Sequence, residues 1–260
     1  MNDKIIGRNP VLEAIRSGRS VDKILVKKGK YEGSIVPIIK KAKDAGIIIQ
    51  EVERAKLDQI AEGENHQGVI AYVSAYDYVS VKDILDKARE KNEPPFIIIC
   101  DKITDPHNLG AILRTANCVG AHGVIIPKRN SVGLNSVVAK TSAGAVEYTP
   151  VAKVTNIANT IDSLKDEGLW IAAAGMGGAG KLGQGLWIAA ADMDGQEMYD
   201  IDLKGSLGLV IGSEGEGISR LVREKCDFIA SIPMAGEINS LNASVAAGVL
   251  MYEALRQRRK

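Results

Sequence analysis

Residues 96–116 read Phe96-Ile97-Ile98-Ile99-Cys100-Asp101-Lys102-Ile103-Thr104-Asp105-Pro106-His107-Asn108-Leu109-Gly110-Ala111-Ile112-Leu113-Arg114-Thr115-Ala116. The run 96–100 is apolar throughout, and Pro94-Pro95 halts any helix ahead of it, so a strand buried on both faces is predicted there. Beyond the following turn, Asp105 offers a helix N-cap and Pro106 suits the first helical turn. Leu109, Ile112, Leu113, Ala116 and Val119 then form an apolar face, with Gly120 as the stop. Strand followed by helix is the unit of a parallel α/β sheet. Ligands in open sheets of this kind bind beyond the carboxyl ends of the strands, close to where Asn108 falls.

The same alternation continues outward. Strands are predicted at 123–126, 169–173, 207–211 and 228–232, and helices at 106–119, 155–166, 217–225 and 240–258. Upstream, residues 5–75 read as a smaller α/β unit. A helix from Asn9-Pro10 to Gly18, a strand at 23–26, a helix from Ser34 to Ala45, and strands at 47–49 and 69–73 are expected. The domain reading is therefore 1–75, a polar linker at 76–94 with a helix near 80–90, and a larger domain at 95–260.

The chain has 260 residues and a net charge of +1, which marks no general polyanion binder. Residues 1–75 nevertheless carry +3 and the remainder −2, a bias that fits contact of the N-terminal part with nucleic acid and ordinary surface scatter equally well. Cys100, Cys118 and Cys226 are odd in number and widely spaced, which argues against a disulfide framework or zinc site and for a reducing cytoplasm. No apolar run is long enough to span a bilayer, and the first residues do not open a signal peptide.

Three polar turns hold the candidate chemistry. The first contains Asn108 and Arg114; a cation on so apolar a helix calls for an anionic partner, either Glu214 or a phosphate. The second, Gly212-Ser213-Glu214-Gly215-Glu216-Gly217, ends the strand at 207–211, and its glycines allow close backbone approach. The third runs from Ile232-Pro233 to Ser240-Leu241-Asn242 at the start of the last helix, where Ser240 reads equally as an N-cap. His66, His107 and His122 read as RNA contacts or surface residues rather than acid-base groups.

One feature stands apart. Gly168-Leu169-Trp170-Ile171-Ala172-Ala173-Ala174 recurs word for word at 185–191, joined by a glycine-rich spacer. It reads as a duplicated strand, of which one copy fills the slot in the sheet and the other is spare. The spacer matches the G-x-x-x-x-G-K pattern of a phosphate loop from Gly175 to Lys181. Leu182 stands where a hydroxyl should hold magnesium, so the linker reading prevails.

The motifs N-x-G-A-I-x-R-T-A from Asn108, L-V-I-G-S-E-G-x-G from Leu209, and I-P-M-x-G-x-x-x-S-L-N-x-S-x-A from Ile232 closely resemble, in order, those of the SpoU branch of the SPOUT RNA 2′-O-methyltransferases. Gly7-Arg8-Asn9-Pro10 through Ile15 and His66-Gln67-Gly68-Val69 are similar to the RNA-binding domain of the bacterial subgroup that methylates a guanosine of 23S ribosomal RNA. The resemblance implies a trefoil-knotted methyltransferase domain, a homodimer, ribosomal RNA as substrate and S-adenosylmethionine as cofactor, with no metal. By position it implies that Gly212, Ile232 and Leu241 bind the cofactor, while Asn108, Arg114, Glu214, Ser240 and Asn242 form the catalytic group. The alternatives are a transfer RNA 2′-O-methyltransferase and a catalytically impaired RNA-binding relative.

Overall fold

The structure, a computed structural model, describes residues 4–166, 191–213, 217–237 and 240–259, with side chains omitted at 191–194. The repeat at 168–191, the strand expected at 169–173 and Glu214 lie outside the described residues, Ala191 alone excepted.

The N-terminal unit, up to Asp77 together with Gly133–Ser136, runs β1 (Lys4–Ile6), α1 (Arg8–Arg16), β2 (Val21–Lys27), α2 (Ile35–Asp44), β3 (Ile48–Val52), α3 (Arg54–Ala61) and β4 (Val69–Val73). Its sheet has the order β1-β4-β2-β3, antiparallel except for the parallel β2–β3 pair. Successive side chains of a strand go to opposite faces, and here each face finds its own cover. Ile24 and Val26 of β2, with Val69 and Ala71 of β4, pack under α1 and α2 against Val11, Ile38 and Ile39. Leu25 and Ile70 go the other way, onto Leu57 and Ala61 of α3. Helix α3 was not expected from the sequence; only Leu57, Ile60 and Ala61 mark its apolar side.

The second unit, from Tyr78 on, runs α4 (Val81–Glu90), β5 (Phe96–Cys100), α5 (Pro106–Cys118), β6 (Gly123–Pro127), α6 (Ser136–Thr141), β7 (Val151–Val154), α7 (Ile157–Asp166), β8 (Ala191–Glu197), β9 (Leu207–Ile211), α8 (Arg220–Glu224), β10 (Ala230–Ser231) and α9 (Ala243–Arg258). Its main sheet, β7-β6-β5-β9, is parallel throughout, and β8 pairs with β10 in a separate parallel ribbon. Every residue of β5, β6 and β9 is buried, as expected of parallel strands covered on both faces. Segment 76–94, read as linker, enters this unit at Tyr78. Within it, α4 is capped by a reciprocal Ser80–Asp83 box and buries Ile84, Leu85 and Ala88. Ile84 lies so close to Gly123 that a Cβ there would meet its Cδ1 at 2.6 Å.

Several elements of this unit differ from expectation. Strand β7 was missed because its four residues merge into the polar run before α7. Strand 228–232 contracts to two residues and helix 217–225 to five. Helix α9 starts at Ala243 rather than Ser240, because the Asn242 side chain, not that of Ser240, caps it. At its far end α9 is tied down by Gln257, which accepts from Leu203 N–H at 2.8 Å and donates to the Ile201 carbonyl at 3.0 Å. Arg258 stacks on Phe96 and donates to the carbonyls of Pro95 and Gly205; burial brings its pKa down to about 10. No helix among the described residues is long and apolar enough to cross a membrane.

Candidate active site

The carboxyl ends of β5 and β9 lie side by side in register, Cys100 opposite Ile211, so the loops leaving them start from one edge. The first residue past β5 is Asp101, a buried carboxylate. Its backbone N–H donates to the Ile211 carbonyl at 2.8 Å, and its Oδ2 accepts from Ser219 N–H at 2.7 Å. Asp101 thus pins the far side of the β9 loop just ahead of α8. It belongs to none of the three polar turns. A carboxylate immediately after a wholly apolar strand was the signal that could have found it.

Between those anchors the β9 loop closes on itself. Ser213 and Gly217 exchange backbone hydrogen bonds at 3.1 and 3.0 Å. A Cβ on Gly212 would lie 2.3 Å from the Gly217 carbonyl carbon and 2.5 Å from Ile218 N, so the chain here admits only backbone. Helix α5 is fitted as tightly: a Cβ on Gly110 would meet Thr141 Cβ at 2.6 Å. Its N-terminus is capped by Asp105, which accepts from His107 N–H at 2.9 Å.

The first and third polar turns meet. Asn242 Oδ1 caps α9 by accepting from Ser244 N–H at 2.9 Å, Val245 N–H at 3.3 Å and Ser244 Oγ at 2.7 Å. Its oxygen thus engaged, Asn242 turns its amide nitrogen to Asn108 Oδ1, 3.1 Å away across 134 residues of sequence. Asn108 is buried on α5. Two amides are thereby held in one orientation, which suits alignment of a neutral polar group better than proton abstraction.

The remaining candidates are more dispersed. Arg114 sits six residues beyond Asn108 on α5, on its exposed side, and makes no ion pair among the described residues. The anionic partner expected for it is therefore not a described carboxylate of this chain. Ser240 and Leu241 are exposed just ahead of the Asn242 cap, and Ile232, half-buried, follows β10. Glu214 lies outside the described residues.

The histidines are structural or peripheral. His122 is buried, accepts Phe96 N–H at Nδ1 (2.9 Å) and meets Glu93 through Nε2 (3.1 Å); burial lowers its pKa. His66 spans Gly68 N–H and Asp58, and His107 is exposed, with Nδ1 3.5 Å from Thr141 Oγ1. The three cysteines are free, and burial pushes Cys100 up to about 12. No group of three metal-ligating side chains occurs among the described residues.

A parallel α/β sheet with glycine-lined loops and oriented amides at its carboxyl edge is the arrangement in which open sheets bind ligands. Comparison with known proteins narrows it. The family model described as RNA 2′-O ribose methyltransferase substrate binding matches residues 4–79. That of the SpoU rRNA methylase family matches 95–182 and 179–252, two segments that overlap inside the repeated stretch. YacO of Bacillus subtilis (strain 168), assigned to the TrmH family of tRNA/rRNA methyltransferases, is 48% identical over 257 residues, covering 99% of this chain and 96% of its own. A TrmH family tRNA/rRNA methyltransferase of Staphylococcus aureus (strain MSSA476) is 46% identical, covering 98% and 96%. Among solved structures, the SpoU methyltransferase AviRb of Streptomyces viridochromogenes with AdoMet superposes with a TM-score of 0.58 at 23% identity, covering 98% of this chain and 90% of AviRb. The chain belongs to the SpoU (TrmH) family and is an RNA 2′-O-methyltransferase.

Proposed function

We propose that the enzyme transfers a methyl group from S-adenosylmethionine to the 2′-oxygen of a guanosine ribose in ribosomal RNA, as a homodimer with a trefoil-knotted catalytic domain. The observation that carries the reading is the Asn242–Asn108 hydrogen bond, which joins the first and third family motifs at one point. The residues suit the cofactor: around Gly212 only backbone fits, and Ile232 and Leu241 add backbone and apolar surface. When bound, S-adenosylmethionine supplies the activated methyl carbon.

The chain's own groups then have to place a ribose hydroxyl in line and let its proton pass to water as the new bond to oxygen forms. Positioning supplies much of the barrier reduction in such a transfer. Arg114 serves as a cation that holds an RNA phosphate and stabilises the developing oxyanion. Asn108 and Asn242, with Ser240 and Glu214, orient the hydroxyl and Arg114. The homodimer is supported by the exposed Val245 and Tyr252 on α9, a helix that packs on α5 and shows no single apolar side.

The test is transfer of labelled methyl from S-adenosylmethionine to unmodified 23S ribosomal RNA and, in parallel, to transfer RNA, in the full chain and in a variant lacking residues 168–184. Label in an alkali-resistant dinucleotide from ribosomal RNA is the expected result. Label in transfer RNA alone moves the substrate, and silence on both RNAs in both proteins overturns the reading.

A further inference from the structure

One buried group of the second unit has no part in the chemistry so far. Asp101, only 5% exposed, is a carboxylate at the end of the wholly apolar β5. No cation pairs with it among the described residues, and burying a charge without one is costly. A carboxylate in that place is stabilised by the backbone donor it holds.

What Asp101 holds is the loop that leaves β9. Its N–H donates to the carbonyl of Ile211, the last residue of that strand, and its Oδ2 accepts from Ser219 N–H at 2.7 Å. One residue of the neighbouring strand's exit thereby grips the loop at both ends. Inside the grip, Ser213 and Gly217 close on each other, Gly217 takes φ 64, and Gly212 has room for backbone alone. Lys102, at φ 59, turns the chain sharply after Asp101. The carbonyl of buried Ile103 then accepts from Ser131 Oγ at 3.1 Å and Val132 N–H at 2.9 Å. Asp101 is thus braced on its own side and does not follow the loop.

The helix beyond the loop offers no comparable anchor. Helix α8 has five residues, too few to be stable by itself, and the side chain of its N-cap Ser219 makes no capping bond. Past its end, Lys225 pairs with Asp162 at 2.7 Å and Asp227 with Lys165 at 2.8 Å, both partners lying on α7. These are partly exposed pairs that water and salt weaken. The short bond from Ser219 to a charged, buried acceptor is the stronger tie, and it sits nearest the loop.

We infer that Asp101 is a positioning residue for methyl transfer, fixing the backbone from Gly212 to Gly217 in the arrangement that binds S-adenosylmethionine. It acts through that backbone rather than on the reacting atoms. The inference rests on the reading of this loop as the cofactor site and deepens it. A loop ordered in advance binds without first being ordered, so the tie shows in affinity. Saturating cofactor restores a loosened loop by its own binding energy, so turnover at saturation recovers.

The experiment measures S-adenosylmethionine affinity by calorimetry, and KM and kcat for methyl transfer to unmodified 23S ribosomal RNA, in the full-length protein. Asp101→Ala should raise the Kd and KM for the cofactor about tenfold, with kcat at saturating cofactor within about twofold of wild type. Asp101→Asn keeps an acceptor for Ser219 N–H, and Oδ1 receives no described donor that its NH₂ would meet, so most of the affinity should return. Ser219→Pro deletes the donor from the other side, at a φ of −60 that suits the proline ring. It should match Asp101→Ala, and the two together should cost little more than either. Ile84→Val, buried against Gly123 at the amino edge of the sheet, lowers stability far from the loop and should bind the cofactor as wild type. Additive losses, an Asn variant as weak as Ala, a fall in kcat with KM unchanged, or equal loss in Ile84→Val overturns the inference. If Gly212→Ala weakens binding and Asp101→Ala and Ser219→Pro do not, the role of Asp101 alone fails. If Gly212→Ala binds normally, the loop is not the cofactor site and the underlying reading fails with it.

Discussion

Strand β5 of the second unit is buried at every residue, whereas β2 of the first is half-buried at its start, buried at Ile24–Val26 and exposed at Lys27. The difference decides what each sheet can carry. A strand with no polar side chain along it sends its functional groups past its carboxyl end, where few can fit and each must be hydrogen-bonded. Asp101 and Asn108 are such groups, buried and paired to Ser219 and Asn242. The N-terminal sheet instead ends in solvent, so Lys27, Lys28 and Lys30 crowd around Arg8 at little desolvation cost. Paired amides suit alignment and chemistry; exposed cations suit capture of a polyanion.

The comparison breaks most visibly at the two arginines. Arg114→Ala is expected to cut turnover by at least 10²–10³-fold, roughly the cost of losing one charge-stabilising donor, with S-adenosylmethionine affinity nearly intact by calorimetry. Substantial residual turnover removes Arg114 from the chemistry. Gly212→Ala comes next: its Cβ would collide with the Gly217–Ile218 backbone, and S-adenosylmethionine binding should weaken about tenfold or more as that loop shifts. Unchanged binding would show that the loop is not part of the cofactor site.

Asn242→Ala removes a helix cap and the bond to Asn108 together. A loss of about 1–2 kcal/mol in denaturant unfolding is expected, with a larger proportional loss of activity. Asn242→Asp restores the cap but not the donor to Asn108, so it should recover stability without activity. Recovery of both would reduce Asn242 to a cap.

The smallest effect is at His122. Burial holds its folded pKa below the ordinary 6.5, so the unfolded chain takes up the proton first as pH falls. Its contribution is therefore intact above about pH 6.5 and is lost progressively below it, until the folded pKa is reached. Denaturant midpoints at pH 7.5 and 5.5 should separate more in wild type than in His122→Gln. Equal separation would assign the acid sensitivity elsewhere.

Residues with a strong period were the legible ones. Strands β5, β6 and β9 and the apolar face of α5 are long uniform signals set by burial, and the sequence placed them within a residue or two. Asn108 and Asn242 were placed in one group by the family resemblance, and their side chains are hydrogen-bonded. What escaped was set by tertiary contact. Strand β7 is four residues long and made by pairing with β6; the true cap of α9 depends on which of two neighbouring polar residues faces the helix end. Asp101 escaped because its role lies in a bond to Ser219, 118 residues away. The cluster of cations around Arg8 escaped as a unit because Arg8 and its partner Gln67 are 59 residues apart, although each motif had been noticed.

The central claim is that capture and chemistry reside in different units, and steady-state methyl transfer to unmodified 23S ribosomal RNA tests it most directly. With S-adenosylmethionine saturating, Arg8→Gln should raise the KM for RNA and leave kcat unchanged, while Arg114→Ala should collapse kcat. A fall in kcat at saturating RNA for Arg8→Gln, or wild-type kcat in Arg114→Ala, would contradict that division.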